Sequence, residues 1–265
     1  GNYVAFTRDN NLFAIDLGTG KEIQYTTDGA KFVYNGYSSW VYMEEILGRA
    51  TRYKAFWWSP DSRKLAFMRF DDSKVPVFPL YNSEGTHGFL EETPYPKPGD
   101  SNPDVRVGIL PVTGGTVIWA DFNEKNDQYF GNPFWTPDSK ELWIQWMNRE
   151  QDTLTIYGMD MGTAKIRRVY SEYQPSWVEW FDKIEFLKDN KGFIVKTDKD
   201  GWMHLYLYGM DGKLKNRITE GRWQVSNVVM VDEDENLLYF TARQGASTRT
   251  DLYRIRLNGK GLTRL

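Results

Sequence analysis

Apolar and polar residues alternate along most of the chain in short runs closed by polar turns, a period-two pattern that predicts β-strands. One unit recurs. It reads Trp58-Ser59-Pro60-Asp61-Ser62-Arg63-Lys64-Leu65-Ala66-Phe67 and again Trp135-Thr136-Pro137-Asp138-Ser139-Lys140-Glu141-Leu142-Trp143-Ile144. Weaker copies open with Phe186-Leu187-Lys188-Asp189-Asn190 and Val231-Asp232-Glu233-Asp234. Each is a strand, a polar turn and an apolar strand. The starts lie 77, 51 and 45 residues apart, and a repeat of about 45–50 residues has the length of a propeller blade.

The second halves of these units repeat as well. Leu154–Asp160, Leu205–Gly212 and Leu252–Gly259 are alternating stretches that run into polar or glycine turns, as does Leu12–Leu17 before Gly18 and Gly20. Such turns supply the positive φ of tight hairpins. Four units, near 51–121, 130–170, 180–219 and 223–265, follow one partial unit, and no long amphipathic helix pattern interrupts them. The expectation is an all-β fold over residues 1–265, a partial β-propeller of about five four-stranded blades. Counting also predicts open, apolar flanks near 3–17 and 252–265.

Composition narrows the function classes. A chain of 265 residues can bury a substantial core, and its 11 Trp suit pleated faces better than sugar stacking. A net charge of −3 with mixed signs gives no footprint for nucleic acid. No apolar run approaches the ~20 residues of a transmembrane segment. The absence of cysteine removes disulfides and thiolate metal sites but leaves the compartment open. Only His87 and His204 are present, neither beside an acidic cluster, so no metal or cofactor is expected. His204, in a strand with Leu205 and Tyr206, reads as a packed or solvated histidine. Gly1 stands where Met would be expected, without a leader pattern, which predicts an excised piece of a longer protein.

Nucleophilic catalysis is not supported. The nearest approach to G-x-S-x-G is Gly36-Tyr37-Ser38-Ser39-Trp40, where Trp replaces the closing glycine and no helix-rich pattern follows. No catalytic residue is assigned, and the chain alone is expected to catalyse nothing. The segment near 38–48 stands apart from the repeats: Trp40-Val41-Tyr42-Met43-Glu44-Glu45-Ile46-Leu47 suits a short helix, with Ser38 or Ser39 as N-cap. Glu44 and Glu45 repel each other unless a cation lies between them. An α-ammonium group, with three donors and a pKa near ~7.7–8.0, would serve. Taken alone, these residues leave an ordinary solvated acidic pair as the simpler reading. A glycosidase pair is disfavoured, since those carboxyls face each other across ~5 to 9 Å.

In order and at similar spacing, Trp40-Val41-Tyr42-Met43-Glu44-Glu45, Trp57-Trp58-Ser59-Pro60-Asp61, Phe70-Asp71-Asp72-Ser73-Lys74-Val75-Pro76 and Tyr95-Pro96-Lys97-Pro98-Gly99-Asp100 resemble the propeller domain of dipeptidyl peptidase IV-type serine peptidases. That resemblance implies an exopeptidase removing Xaa-Pro or Xaa-Ala dipeptides, periplasmic or extracellular. It also implies an eight-bladed propeller over an α/β-hydrolase domain that lies outside this chain, as would the remaining blades. By the same resemblance, Glu44 and Glu45 hold the free amino group of a peptide substrate N-terminus. Trp202, in Asp200-Gly201-Trp202-Met203-His204, takes the place of a substrate-lining aromatic, while Met203 stands where a family member carries Arg. A family Arg that binds the substrate carbonyl falls before Gly1.

Residues 71–98 account for the longest interval between repeats. Val75–Tyr81 and Phe89–Tyr95 flank the polar tip Asn82–Gly88, a projecting arm whose Phe78, Leu80, Tyr81, Phe89 and Leu90 are hard to leave in water. The resemblance implies a homodimer made through residues 75–95; an arm folded back on its own propeller is the alternative. Two functions follow from these observations: a substrate-recognition and gating propeller, or a non-catalytic scaffold for protein–protein interaction with Glu44 and Glu45 as surface acids.

Overall fold

The computed structural model describes residues 1–265. Five separate antiparallel sheets and one two-stranded ribbon account for the strands, and within each sheet the strands follow one another as a meander. The first blade has three strands, Tyr3–Arg8, Asn11–Asp16 and Glu22–Gln24. In the second, Lys64–Asp71 and Asp104–Pro111 form the centre and Ile118–Trp119 one edge. Its other edge is a first strand in two pieces, Val33–Asn35 and Phe56–Trp58, both paired with Lys64–Asp71. The second unit therefore begins at Val33 rather than near residue 51. The sequence hid this because twenty residues, 36–55, leave the strand and return to it.

The third blade repeats the device in miniature. Gln128–Phe130 and Phe134–Trp135 both pair with Glu141–Asn148, separated only by residues 131–133. Thr153–Asp160 and Ile166–Tyr173 complete it. The fourth blade comprises Glu185–Phe186, Phe193–Thr197, His204–Tyr208 and Leu214–Arg217. The fifth comprises Val225–Asp232, Leu237–Ala246, Arg249–Arg256 and Thr263–Arg264. No strand of the first blade pairs with the fifth, so the arc is not closed by hydrogen bonding. On its two flanks Val4, Leu17, Leu252 and Leu265 are exposed.

Packing follows from strand periodicity. Successive side chains point to opposite faces, and a middle blade buries both. On the strand Lys64–Asp71, Leu65 and Phe67 join Leu12, Ala14 and Tyr25 of the first blade. Ala66, Met68 and Phe70 join the larger cluster with Phe130, Trp143 and Ile144 of the third. The fourth blade divides the same way: Tyr206 and Tyr208 pack toward the third, Leu205 and Leu207 toward the fifth. Each large side chain so buried contributes roughly 1.5–3 kcal/mol of transfer free energy.

The recurring Trp-(Ser/Thr)-Pro-Asp-Ser sequence has a hydrogen-bonding reason. Ser59 Oγ donates to Asp61 Oδ1 (2.6 Å) and accepts from the Lys64 N–H (3.0 Å). Thr136 Oγ1 does the same with Asp138 Oδ1 (2.8 Å) and the Glu141 N–H (3.0 Å). The fourth turn residue takes a left-handed conformation, φ 58° at Ser62 and 60° at Ser139. Neighbouring turns then interlock: the Asp61 N–H donates to Ser139 Oγ (3.0 Å) and Lys64 Nζ to the Ser139 carbonyl (3.1 Å). Further along, the Lys188 N–H donates to Glu233 Oε1 at 2.6 Å. The repeat is thus a turn that closes its own hairpin and fastens it to the next blade.

Thr136 is buried, so removing its hydroxyl leaves the Glu141 N–H without that acceptor and takes one donor from Asp138. Thr136→Val is expected to lower the unfolding free energy of the chain by about 1–3 kcal/mol with the urea m-value unchanged. A urea midpoint equal to that of the unaltered chain would contradict this role for the turn.

Candidate functional site

The twenty-residue excursion from the first strand of the second blade carries the glutamate pair. Its neck is closed by backbone bonds, Ala55 N–H to Gly36 O (2.9 Å) and Ser38 N–H to Tyr53 O (2.8 Å). Tyr37 and Tyr53 stack above the neck with centroids 4.7 Å apart. Within it, Tyr42–Ile46 forms a single wide helical turn in which the Leu47 N–H reaches the Tyr42 carbonyl. Ser39 stands where the serine cap is expected: Trp40 and Val41 are already helical, and the Ser39 carbonyl accepts the Met43 N–H (3.0 Å). No side-chain cap bond forms, however, and Ser38 and Ser39 are buried.

Tyr42 fixes the turn to the body. Fully buried, it meets Phe70 edge-on at 4.9 Å and accepts a bond from the Phe130 N–H (3.3 Å) of the third blade. Asn132, in the gap of the third blade's split strand, donates Nδ2–H to the Leu47 carbonyl (3.3 Å). The long and short interruptions of two adjacent first strands therefore hold one another.

The two glutamates differ in surroundings. Glu44 forms an ion pair with Arg49, which begins the short turn Arg49–Thr51. Glu45 lines a cavity of about 600 Å³ that runs past the first strands of the third, fourth and fifth blades. Its walls also include Asn132, Glu172, Trp180, Lys196, Asp198 and Met203. Acids outnumber lysines on this lining, so its potential favours cations. Trp202 is not part of the wall; it stands 44% exposed on the adjoining turn, one residue before Met203.

That turn is held from below. Asp200 Oδ2 accepts the Tyr206 hydroxyl at 2.6 Å and faces Arg217 at 3.5 Å. His204 is fully buried, with Nε2–H donating to the Gly221 carbonyl (2.9 Å) and Nδ1 accepting from the Thr219 hydroxyl (3.0 Å). A carbonyl can only accept, which fixes this tautomer. Burial lowers the histidine pKa, partly opposed by the Gly221 carbonyl. It is a packed structural residue.

Two features of the site carry no sequence signal. Glu172 is buried on the cavity wall, accepting the hydroxyls of Tyr170 and Thr197 (2.6 Å each) and Gln174 Nε2–H (2.7 Å). Tyr170 and Gln174 flank it in the chain, but the partner that ties it to the next blade, Thr197, is 25 residues away. Asp72 is 1% exposed at the root of both the excursion and the arm, its Oδ1 unpartnered by protein atoms. Burial drives its pKa up to about 7, the Ser39 hydroxyl opposes this, and the charge of Asp71 adds to it.

The arm is the ribbon Val77–Asn82 paired with Phe89–Pro94. Phe78, Leu80, Tyr81, Phe89 and Leu90 are all exposed on it. Its base packs on the excursion through Phe78, Tyr95 and Trp40, with centroids 5.6 and 4.5 Å apart, and Glu92 pairs with Lys31 at 2.9 Å.

An arc of propeller blades, with a charged turn inserted in one first strand beside a cavity, defines the class as a propeller domain with an inserted charged turn. The chain belongs to the dipeptidyl peptidase IV (DPP IV) N-terminal region family, whose model matches residues 1–265. It is 30% identical over 274 residues to a probable dipeptidyl peptidase 4 of Emericella nidulans, covering 96% of this chain and 35% of that protein. A probable dipeptidyl-aminopeptidase B of the same organism is 30% identical over 290 residues, covering 99% of this chain and 32% of that protein. Among solved structures, Porphyromonas gingivalis dipeptidyl peptidase 4 superimposes with a TM-score of 0.88 at 28% identity, over 100% of this chain and 37% of that one. A putative dipeptidyl aminopeptidase IV from Bacteroides ovatus shares the fold, with a TM-score of 0.76 at 22% identity over 98% of this chain and 43% of that one. The chain spans about a third of the length of the curated relatives it matches.

Asp72 supplies a pH test of the site's foundation. Its folded pKa lies above the ordinary value of 3.8, so its contribution is complete below that value and is lost as pH rises through about 7. Asp72→Asn is therefore expected to gain stability relative to the unaltered chain from about pH 4 upward, levelling off above about pH 7. Urea midpoints across that range check it; a gap between the two chains that does not change with pH contradicts it.

Proposed function

We propose that this chain is the substrate-recognition and gating propeller of a dipeptidyl peptidase IV-like serine exopeptidase that removes Xaa-Pro or Xaa-Ala dipeptides. In this reading Glu45, with Glu44 beside it, anchors the free amino group of the peptide. The observation that carries the proposal is a glutamate pair on a rigidly held turn, one carboxylate facing a cavity whose lining is acidic. Family membership of the whole chain supports it.

The mechanism follows from charge and register. An α-ammonium needs acceptors in a partly desolvated place, and charge-assisted bonds to carboxylate are the stronger kind there. Tyr42 and Asn132 hold the turn to two blades, so the anchor keeps its position while the peptide binds. With the amine fixed, the second peptide bond lies at a constant distance from the anchor, and a separate nucleophile at that distance cuts only there. A blocked N-terminus lacks the cation and an extended one carries it elsewhere, so either leaves the carboxylates without a partner. Met203 lines that cavity from the fourth blade and Trp202 stands exposed on the adjoining turn; both are assigned to the substrate side chain.

In the full-length protein, Glu45→Gln is expected to reduce kcat/KM for an Xaa-Pro chromogenic dipeptide by about 10- to 100-fold, with Glu44→Gln changing it in the same direction. Labelling by a serine-directed reagent should persist in both. Unchanged kcat/KM in the two variants would remove the anchor assignment and favour the scaffold reading.

The exposed apolar ribbon supports a second assignment, a homodimer made through residues 75–95. Deleting residues 78–93 from the full-length protein should then yield a monomer by sedimentation with far-UV circular dichroism retained. A dimer surviving that deletion favours an arm that serves only its own propeller.

A further inference from the structure

We propose that Arg49 is a built-in competitor for the amine anchor, holding Glu44 until the α-ammonium of a peptide displaces it, and so setting substrate affinity. The inference rests on the reading of Glu44 and Glu45 given above. Gly48, at φ 88°, turns the chain back after the glutamates, and the short turn Arg49–Thr51 brings the guanidinium onto the Glu44 carboxylate.

The two partners are held very differently. The Glu44 side chain is only 14% exposed, whereas that of Arg49 is 76% exposed and makes no other hydrogen bond or ion pair. The carboxylate is therefore part of the wall and the cation covers it from a long, solvent-exposed stem. Glu45, the next residue, forms no ion pair and faces the cavity. One carboxylate is occupied and the other free, which differs from two equivalent acceptors. An incoming ammonium meets Glu45 first and gains Glu44 only as the guanidinium yields to water. The Arg49 side of the pair is open to water, which competes for the guanidinium, so displacement does not need a strong ligand. The guanidinium also relieves the repulsion between adjacent carboxylates when no peptide is bound.

A site occupied part of the time by its own cation binds its ligand more weakly by the occupied fraction. Removing the competitor should therefore tighten binding without touching the chemical step. In the full-length protein, Arg49→Gln is expected to lower KM for an Xaa-Pro chromogenic dipeptide by about two- to five-fold with kcat unchanged. Arg49→Lys should fall between, since ammonium keeps the charge but loses the planar fork. In a Glu44→Gln background the Arg49→Gln effect should vanish.

If Glu44→Gln and Glu45→Gln both damage kcat/KM while Arg49→Gln leaves KM unchanged or raises it, Arg49 is no competitor and the anchor reading stands without it. If neither glutamine variant changes kcat/KM, the anchor reading falls and this inference falls with it. Arg49 is solvent-exposed, so misfolding is not expected to confuse the result, and a urea midpoint for each variant checks that.

Discussion

An antiparallel sheet has two faces, and when both are apolar neither can be covered from within the sheet. In this protein each blade is covered by its neighbours, and the alternation along single strands shows how. Leu65 and Phe67 face one neighbour while Met68 and Phe70 face the other. No middle blade could be removed without uncovering two interfaces, so the stability of the site is tied to the whole arc. The interlocked turns add direction to this non-directional packing. Hydrophobic burial fixes that the blades stack, and the bond from the Asp61 N–H to Ser139 Oγ fixes how far each is rotated against the next.

That regularity is broken most where the glutamate pair is carried. A first strand can be interrupted if its two pieces keep their hydrogen bonds to the second strand, and both split strands here do so. Three residues leave the sheet in the third blade and twenty in the second. The longer excursion would be floppy by itself, because its helix is short and lacks a side-chain cap bond. Its order comes from outside: Tyr42 buried between blades, Asn132 on the Leu47 carbonyl, and Tyr95 against Trp40. The glutamates are thereby carried on a rigid body although their own segment has little intrinsic stability.

The same arrangement explains the electrostatics. A carboxylate pair on a solvated helix would be screened and interchangeable. Here Glu44 is drawn into the wall beside Arg49 and Glu45 is turned toward an acidic cavity. Below them Asp72 is buried enough to hold its proton up to about pH 7. A cationic ligand gains from the carboxylates on the cavity wall, and an anionic one is repelled by them.

Much of the fold was legible in the residues. Period-two alternation and the spaced Trp-(Ser/Thr)-Pro-Asp-Ser turns determine strands, hairpins and their repetition, because side-chain direction and turn hydrogen bonds are local properties. The candidate glutamates were visible as a segment outside the repeat. Other features were not legible. The start of the second blade at Val33, the hold of Tyr42 and Asn132 on the excursion, and the bond from Thr197 that draws Glu172 onto the cavity wall all depend on residues distant in the chain. The sequence by itself determined which segments are blades and where the exceptional one lies. Only the tertiary structure decided that Glu44 is held by Arg49 while Glu45 is free, since adjacent residues of like charge are told apart by what folds against them.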